Sequence, residues 1–425
     1  MKVLITAGGK GTRLKSLSGE LPKPLMPVCG KPVLEYVIET CKSHGFCDIV
    51  LLVGYGADQI KEHFGDGSGF GVRIEYSLEE EPLGTAGCVK NAAALADDDF
   101  FLLHGDVYSE LDLSLFFKFH KEKGALASIF VHGSTHPYDT DIVELNSEGR
   151  VEGVLHRPGK DERFVNLSNA GSFIFRREVM ELIGEGKQNL ERDLFPLLIS
   201  SEKGLFGYIS DDYTKDMGTP DRFAAVEKHI VVKQFVEERK GTKKAVLLDR
   251  DGTLNKEVGL VDSLDRIELL PGVAEAVKVL NGKGYLLIIV TNQPQVARGM
   301  CSIEEIEAMN ARVKELAEAE GGKIIDVFYC PHHPETQHAD APYSEYRKAC
   351  ECRKPQAGMI LEAIYRHGID PGKSYLIGDS WRDIVAGNRA GVTTIFIGEK
   401  EGLKKRADAS HYVDGVLKAA LEVIE

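Results

Sequence analysis

Two aspartates separated by one residue, Asp249 and Asp251, close the run Ala245-Val246-Leu247-Leu248 and precede Gly252 and Thr253. Four apolar residues predict a short buried strand, and Gly252 lets the backbone turn away at its end. Carboxylates at the C-terminal tip of such a strand sit where α/β sheets place ligands. One can attack phosphorus while the other gives or takes a proton. A second set opens the chain, Ala7-Gly8-Gly9-Lys10-Gly11-Thr12-Arg13. Its glycines bare backbone N–H groups that can cradle a polyphosphate, and Lys10 and Arg13 add charge to the same loop. Lys23 follows between Pro22 and Pro24, which stiffen its backbone. A third set is Cys330-x-His332 and, after seventeen intervening residues, Cys350-x-Cys352. Three thiolates and one imidazole match a closed tetrahedral zinc site of structural type.

Alternating elements must position these groups. In the first half, strands at Val3–Ala7, Ile49–Gly54, Val72–Tyr76 and Phe100–His104 alternate with helices at Val33–His44, Asp58–His63 and Ala86–Leu95. Leu34, Val37, Ile38 and Cys41 recur at the spacing of one helical face. The pattern predicts a mostly parallel sheet covered on both faces. It restarts at Ala245–Leu248, with a helix at Val273–Leu280 and a strand at Leu286–Thr291. A helix opening on the capping box Ser302/Glu305 follows. A helix at Met359–His367 and strands at Ser374–Gly378 and Thr393–Ile397 complete it. The fold class is α/β, with two Rossmann-like domains over residues 1–235 and 244–425. A charged joint over 236–243 contains the breaker Gly241 and is too short for a long tether.

The 425 residues suffice for two or three well-cored domains. A net charge of −14 disfavours nucleic acid and anionic membrane as partners. No apolar run reaches membrane-spanning length. The start Met1-Lys2-Val3-Leu4 lacks a signal-peptide pattern. The scattered Cys29, Cys41, Cys47 and Cys88 read as reduced thiols of a cytoplasmic protein. A homo-oligomer is left open.

The glycine loop with Leu21-Pro22-Lys23-Pro24 resembles the sugar-1-phosphate nucleotidyltransferases over roughly the first 230 residues. Further motifs keep that family's order: Pro82-Leu83-Gly84-Thr85-Ala86-Gly87, Gly105-Asp106, Asn169-Ala170-Gly171 and Asp216-Met217-Gly218-Thr219-Pro220. The resemblance implies a nucleotide site at Gly8, Gly9, Lys10, Gly11, Thr12, Arg13, Lys23, Gly84 and Thr85. It implies sugar contacts at Asn169 and Mg²⁺ on Asp106 and Asp216. Arg13 and Lys23 would assist attack of a sugar phosphate oxygen on the α-phosphorus of a nucleoside triphosphate. One departure is His156-Arg157-Pro158, where many relatives have Glu-Lys-Pro; Arg157 would then anchor the sugar phosphate.

The second half resembles the haloacid-dehalogenase-type phosphatases through Asp249-Arg250-Asp251-Gly252-Thr253, Thr291-Asn292, Lys354 and Gly378-Asp379 with Asp383. The resemblance implies Asp249 as nucleophile and Asp251 as general acid and base. Mg²⁺ would lie between Asp249, the Asp251 carbonyl and Asp379, with Asp383 in support. Thr291, Asn292 and Lys354 would hold the phosphoryl oxygens. The zinc loop would hold Arg353 and Lys354 against the substrate. That loop, with Thr291-Asn292-Gln293 and Ala297-Arg298-Gly299, resembles the D-glycero-D-manno-heptose-1,7-bisphosphate 7-phosphatases, and histidinol-phosphate phosphatases share it. Pro294-Gln295 departs from the Ser-Gly usual there.

The pairing of halves favours heptose. A phosphatase that removes the 7-phosphate would supply a heptose 1-phosphate to a guanylyltransferase acting on that sugar phosphate, a family that the first half also resembles. The expected function is bifunctional synthesis of a nucleotide-activated heptose, with GTP as donor and another nucleoside triphosphate left open. Two alternatives stand beside it. One is a histidinol-phosphate-type phosphatase; the other is a phosphatase carrying a non-catalytic N-terminal sensor of nucleotide or sugar phosphate.

Overall fold

The computed structural model describes residues 1–9, 21–159, 162–257, 259–334, 344–403 and 407–425. The chain divides into two compact units, one of Met1–Gly159 with Phe164–Ile230 and one that takes in Val231–Glu425. No helix among the described residues is long and apolar enough to cross a membrane.

The first unit is built on a nine-stranded sheet. Its centre is parallel: Val3–Thr6 lies between Asp48–Val53 and Asp99–His104, and Arg73–Leu78 extends it outward. Beyond Asp99–His104 the sheet changes character. Ser168–Arg176 pairs antiparallel with it and with Ala127–His132, and the hairpin Asp141–Leu145 with Val151–His156 adds a further antiparallel pair. The sheet is therefore mixed, where the alternating pattern predicts a mostly parallel one. An antiparallel insertion reads locally like any other strand; only its long-range partner sets its direction. The central strands are apolar on both faces. Leu4, Leu52, Phe100 and Leu102 face one core and Val3, Ile5, Leu51 and Phe101 the other. On the helix Val33–Ser43, Leu34, Val37, Ile38 and Cys41 form the buried stripe expected from their spacing.

Register places the first unit's functional segments side by side. Thr6 lies opposite both Leu52 and His104. The loop after Thr6 and the turn Gly105-Asp106 thus leave the sheet at one level. The Gly105 N–H donates to the Thr6 carbonyl at 3.0 Å. A Cβ on Gly105 would stand 2.6 Å from that oxygen, so only glycine lets the two tips approach.

The second unit carries six strands, all parallel, in the order Asp326–Cys330, Leu286–Asn292, Ala245–Leu248, Tyr375–Gly378, Thr393–Ile397, His411–Val413. Helices cover both faces: Val246 and Leu248 pack with Val273 and Val277 on one, Ala245 and Leu247 with Ile360 and Ala363 on the other. The predicted capping box is present: Ser302 Oγ accepts from the Glu305 N–H, and the Glu305 carboxylate accepts from the Ser302 N–H. The segment before the first strand is fastened down. Thr242 and Lys243 N–H both donate to the Gly368 carbonyl, and a Cβ on Gly241 would lie 1.8 Å from the Ile369 oxygen. Gly241 is thus a packed residue of this unit and serves as more than a chain breaker.

Candidate functional site

Strand order brings the second unit's carboxylates together. Ala245–Leu248 lies between Leu286–Asn292 and Tyr375–Gly378, so Asp249, Thr291-Asn292 and Gly378-Asp379 emerge at neighbouring tips. The Asp249 N–H donates to the Ile377 carbonyl at 2.9 Å. One oxygen each from Asp249, Asp379 and Asp383 lie within 4.8 Å of one another. Lys354, 2% exposed, donates to Asp249 Oδ1 at 2.7 Å and to the Val290 carbonyl at 2.7 Å, and stands 2.5 Å from Asp383 Oδ1. Asp383 also caps its own helix, accepting from the Ser380 N–H at 3.0 Å. It is therefore a full member of the cluster.

Two glycines make this crowding possible. Gly252 has φ 77°, and a Cβ there would lie 1.9 Å from Asp379 Oδ2. A Cβ on Gly378 would lie 2.4 Å from Asp383 Cγ.

Asp251 lies apart from the cluster of three. Its carboxylate accepts from Arg250 Nε and Nη2 at 3.1 and 2.9 Å, from Asn255 Nδ2 at 2.9 Å and from Gln293 Nε2 at 2.9 Å. These four donors fill the lone-pair sites of a carboxylate. Arg250 is fully buried, with Nη1 on Asn310 Oδ1 at 2.8 Å. Thr291 is buried, its Oγ1 accepting from Gln293 Nε2 at 2.8 Å. The Asn292 amide exchanges two hydrogen bonds with the Lys354 backbone, so that side chain clamps the lysine segment. Arg353 donates from Nη1 to the His332 carbonyl at 3.1 Å.

Beside this tip, Cys330, His332, Cys350 and Cys352 converge into a second group able to hold a metal ion. Cys350 Sγ is 3.4 Å from Cys330 Sγ and 3.2 Å from Cys352 Sγ, too far for a disulfide. His332 Nδ1 lies 3.6 and 3.4 Å from Cys330 and Cys352 Sγ.

In the first unit, Asp216 pairs across the strands with Val107, and the Met217 N–H donates to the Asp106 carbonyl at 3.2 Å. The two aspartates are thereby adjacent. Lys23, in the short turn Lys23–Leu25, is ion-paired with Asp106. Arg222 Nη1 holds both oxygens of Asp216, at 3.0 and 2.7 Å. Gly8 packs against Gly54, while a Cβ on Gly9 would meet nothing within 4 Å. Lys10, Gly11, Thr12 and Arg13 lie outside the described residues. Gly84, at φ 76°, packs on the Gln188 carbonyl, and Thr85 Oγ1 accepts from the Leu190 N–H at 2.9 Å. Asn169 Oδ1 accepts from the Gly171 N–H at 2.9 Å, which shapes the turn. Arg157 is exposed, takes φ 47° and stands 3.8 Å from Asp139. Asp139 in turn lies 3.8 Å from Arg222 Nη2.

Known proteins match both halves. The family model for nucleotidyl transferases matches residues 2–232, and that for HAD-hydrolase-like proteins residues 351–419. The chain belongs to the nucleotidyl transferase family. Its second half belongs with the HAD-like phosphatases. A D-glycero-beta-D-manno-heptose-1,7-bisphosphate 7-phosphatase of Haemophilus ducreyi is 39% identical over 183 residues, 43% of this chain and 97% of the relative. A mannose-1-phosphate guanylyltransferase of Mycobacterium tuberculosis is 34% identical over 223 residues, 52% of this chain and 62% of that protein. A UTP–glucose-1-phosphate uridylyltransferase of Synechocystis is also 34% identical, over 244 residues, again with 62% of its length covered. The chain thus spans under two thirds of these transferases, and two different bases are represented among relatives of equal identity.

Electrostatics of the phosphatase half follow from burial. Burial pushes Asp249 above the ordinary carboxylate range; Lys354 pulls it back, while Asp383 and Asp379 push further. Asp379 is raised to about 7, by burial first and then by Asp383. Burial works against the Lys354 charge, yet Asp249 and Asp383 outweigh it and hold the ammonium above its usual range. The two ends of this ion pair pull in opposite directions. The pairing distances favour a charged lysine with at least one charged carboxylate. A divalent cation would restore charge to the rest. In the transferase half, burial opposes ionisation of Asp106, but Lys23, with His104, holds its carboxyl below the usual range.

Sequence reasoning gave no role to Arg250, Asn255, Gln293 or Arg222. Arg250 carried a signal: a cation two residues past the last apolar residue of a buried strand, between two aspartates, must have a partner. Gln293 and Arg222 carried none, since their contacts span 42 and 6 residues of chain and depend on how loops return.

Gly252→Ala would press a methyl group onto the Asp379 carboxylate and strain a left-handed backbone. Displacement of such a group by about 1 Å costs on the order of 100-fold in rate. Hydrolysis of p-nitrophenyl phosphate should fall by about that factor while the protein remains folded. Wild-type turnover in the variant would contradict the assigned packing.

Proposed function

We propose that the chain is a bifunctional enzyme of nucleotide-activated heptose synthesis, with the nucleotidyltransferase over residues 1–235 and the phosphatase over 244–425. The reading is carried by the presence, on one chain, of two separate carboxylate sites each fitted with its own cation: Asp249 and Asp383 on Lys354, Asp106 on Lys23. The heptose-bisphosphate phosphatase among its relatives supports the sugar, and the guanylyltransferase supports GTP as donor beside a uridylyltransferase of equal identity.

In the phosphatase, an Asp249 oxygen attacks the phosphorus of the 7-phosphate. The bond from phosphorus to the C7 oxygen breaks, and Asp251, which must exchange one of its four donors for a proton in order to act, gives that oxygen the proton. Water then attacks the aspartyl phosphate, Asp251 takes its proton, and inorganic phosphate leaves. Lys354 and the Thr291 hydroxyl face the anionic phosphoryl oxygens. In the transferase, an oxygen of heptose 1-phosphate attacks the α-phosphorus of GTP, and pyrophosphate leaves. Lys23 and Arg13 offset the charge on the phosphates, and Arg157 anchors the sugar phosphate. Asp249, Asp379 and Asp383, with the Asp251 carbonyl, would hold Mg²⁺ in one site and Asp106 with Asp216 in the other. Bound there, the ion neutralises phosphoryl charge and fixes in-line geometry. The enzyme's partners are these small molecules, and its setting is the cytoplasm, where its thiols stay reduced.

Cys330, His332, Cys350 and Cys352 fit structural Zn²⁺. Metal–sulfur bonds of about 2.3 Å in a tetrahedron put sulfurs about 3.7 Å apart. The separations of 3.2 to 3.6 Å are close to that span. Hydrogen bonds from Cys330 and Cys352 already pull the Cys350 thiol toward thiolate. This loop would fix Arg353 and Lys354.

The two sites should be separable. Asp249→Asn should abolish phosphate release from heptose 1,7-bisphosphate and spare pyrophosphate release from GTP plus heptose 1-phosphate; Asp106→Asn should do the reverse. Loss of both reactions in either folded variant would refute two independent sites.

The metal loop makes its own prediction. Elemental analysis of the purified chain should find about one zinc, and Cys350→Ser should lose it. That variant should lower the urea midpoint read by the single tryptophan, Trp381, which reports the second unit. Full zinc retention would reject the ligand set.

A further inference from the structure

The two glutamines around Pro294 form a one-way relay onto Asp251. Gln293 and Gln295 are 0% and 1% exposed. Gln295 Nε2 donates to the Val261 carbonyl at 3.0 Å and to Gln293 Oε1 at 3.1 Å. Gln293 Nε2 in turn donates to Thr291 Oγ1 at 2.8 Å and to Asp251 Oδ2 at 2.9 Å. A carboxamide can turn end for end with little change of shape, which exchanges its donor and acceptor. Here acceptors at both ends, the Val261 carbonyl and the Asp251 carboxylate, fix the direction. The Val261 carbonyl only accepts, so it fixes the Gln295 amide with nitrogen inward. The second N–H of that amide then needs an acceptor, which fixes Gln293 with its oxygen toward Gln295 and its nitrogen toward Asp251. The Asp251 carboxylate also only accepts and agrees with that direction, so loss of Gln295 removes the donor that anchors the Gln293 oxygen and loosens the amide without reversing it. Of the remaining donors, Arg250 Nη2 shares Oδ2 with Gln293, while Arg250 Nε and Asn255 Nδ2 hold Oδ1.

We propose that Gln295 is a positioning residue of the phosphatase: it anchors the oxygen of Gln293 and so fixes the position from which Gln293 holds the Asp251 carboxylate. The proposal rests on the phosphatase reading above. Asp251 gives its proton to the leaving oxygen, so misplacing it raises the barrier only where that oxygen needs a proton. The C7 alkoxide of heptose 1,7-bisphosphate needs one; p-nitrophenolate departs as an anion.

The test is kcat/KM, which reports the first phosphoryl transfer, for these two substrates with Mg²⁺ present. Gln295→Met keeps the bulk and removes both donors. It should lower kcat/KM for the bisphosphate about tenfold, the loss typical of one missing buried hydrogen bond, and change that for p-nitrophenyl phosphate by no more than about twofold. The double variant Gln293→Met/Gln295→Met should be no worse than Gln293→Met alone, because Gln295 acts through Gln293. Equal losses on both substrates, unchanged kinetics in Gln295→Met, or losses that multiply in the double variant would each overturn the proposal. If Gln295→Met does not fold, Gln295→Asn, which retracts the amide by one methylene, is read by the same substrate ratio and the same double-variant comparison. Hydrolysis of p-nitrophenyl phosphate by the wild type, and its loss in Asp249→Asn, tests the phosphatase reading separately.

Discussion

Of the six aspartates with a proposed chemical role, five are held by a cation. Asp249 and Asp383 share Lys354, Asp251 is held by Arg250, Asp106 by Lys23 and Asp216 by Arg222. Burying an unpaired carboxylate costs several kcal/mol, and breaking a buried pair typically costs about 3–5 kcal/mol. The folds are arranged around meeting that cost. Gly252 and Gly378 give up side chains so that Asp379 and Asp383 can approach. Asn292 spends its whole amide on the Lys354 backbone. The Ser380 cap and the Lys354 pair use the two oxygens of Asp383 separately. A chain of net charge −14 can thus present local positive charge at the points where phosphoryl groups must bind.

The same device recurs in both units. Parallel strands end at one level, a glycine follows at a tip, and an aspartate stands beside it: Gly105-Asp106 in the first, Asp251-Gly252 in the second. The tips of a parallel sheet are where backbone polar groups and short turns converge, so charge can be concentrated there without disrupting the core. The units differ in what extends the sheet. The first gains antiparallel strands that carry Asn169 and lead to Arg157; the second remains wholly parallel and adds the Cys/His loop.

Much of this was legible in the sequence for a physical reason. Ala245–Leu248 has only one way to bury four apolar residues before Asp249, and the Cys/His spacing is short enough for local geometry to bring the four groups together. The Ser302 cap is a contact across three residues and was equally readable. What escaped depends on chain return over long distances. The reversed strand Ser168–Arg176 looks locally like its parallel neighbours. Asp383 reads as a support of the metal site, and only the fold shows that it also caps its helix and pairs with Lys354 from another loop. Pro294-Gln295 reads as a departure from a pattern, and only the fold shows Gln295 buried against Val261 and Gln293.

The central claim is that one chain carries a bisphosphate through two phosphoryl reactions in order. Phosphorus NMR of the wild-type chain with heptose 1,7-bisphosphate, GTP and Mg²⁺ tests it directly. Inorganic phosphate and heptose 1-phosphate should appear first, followed by pyrophosphate and GDP-heptose. Removal of the 1-phosphate before the 7-phosphate, or the absence of a sugar nucleotide with any common nucleoside triphosphate, would contradict it.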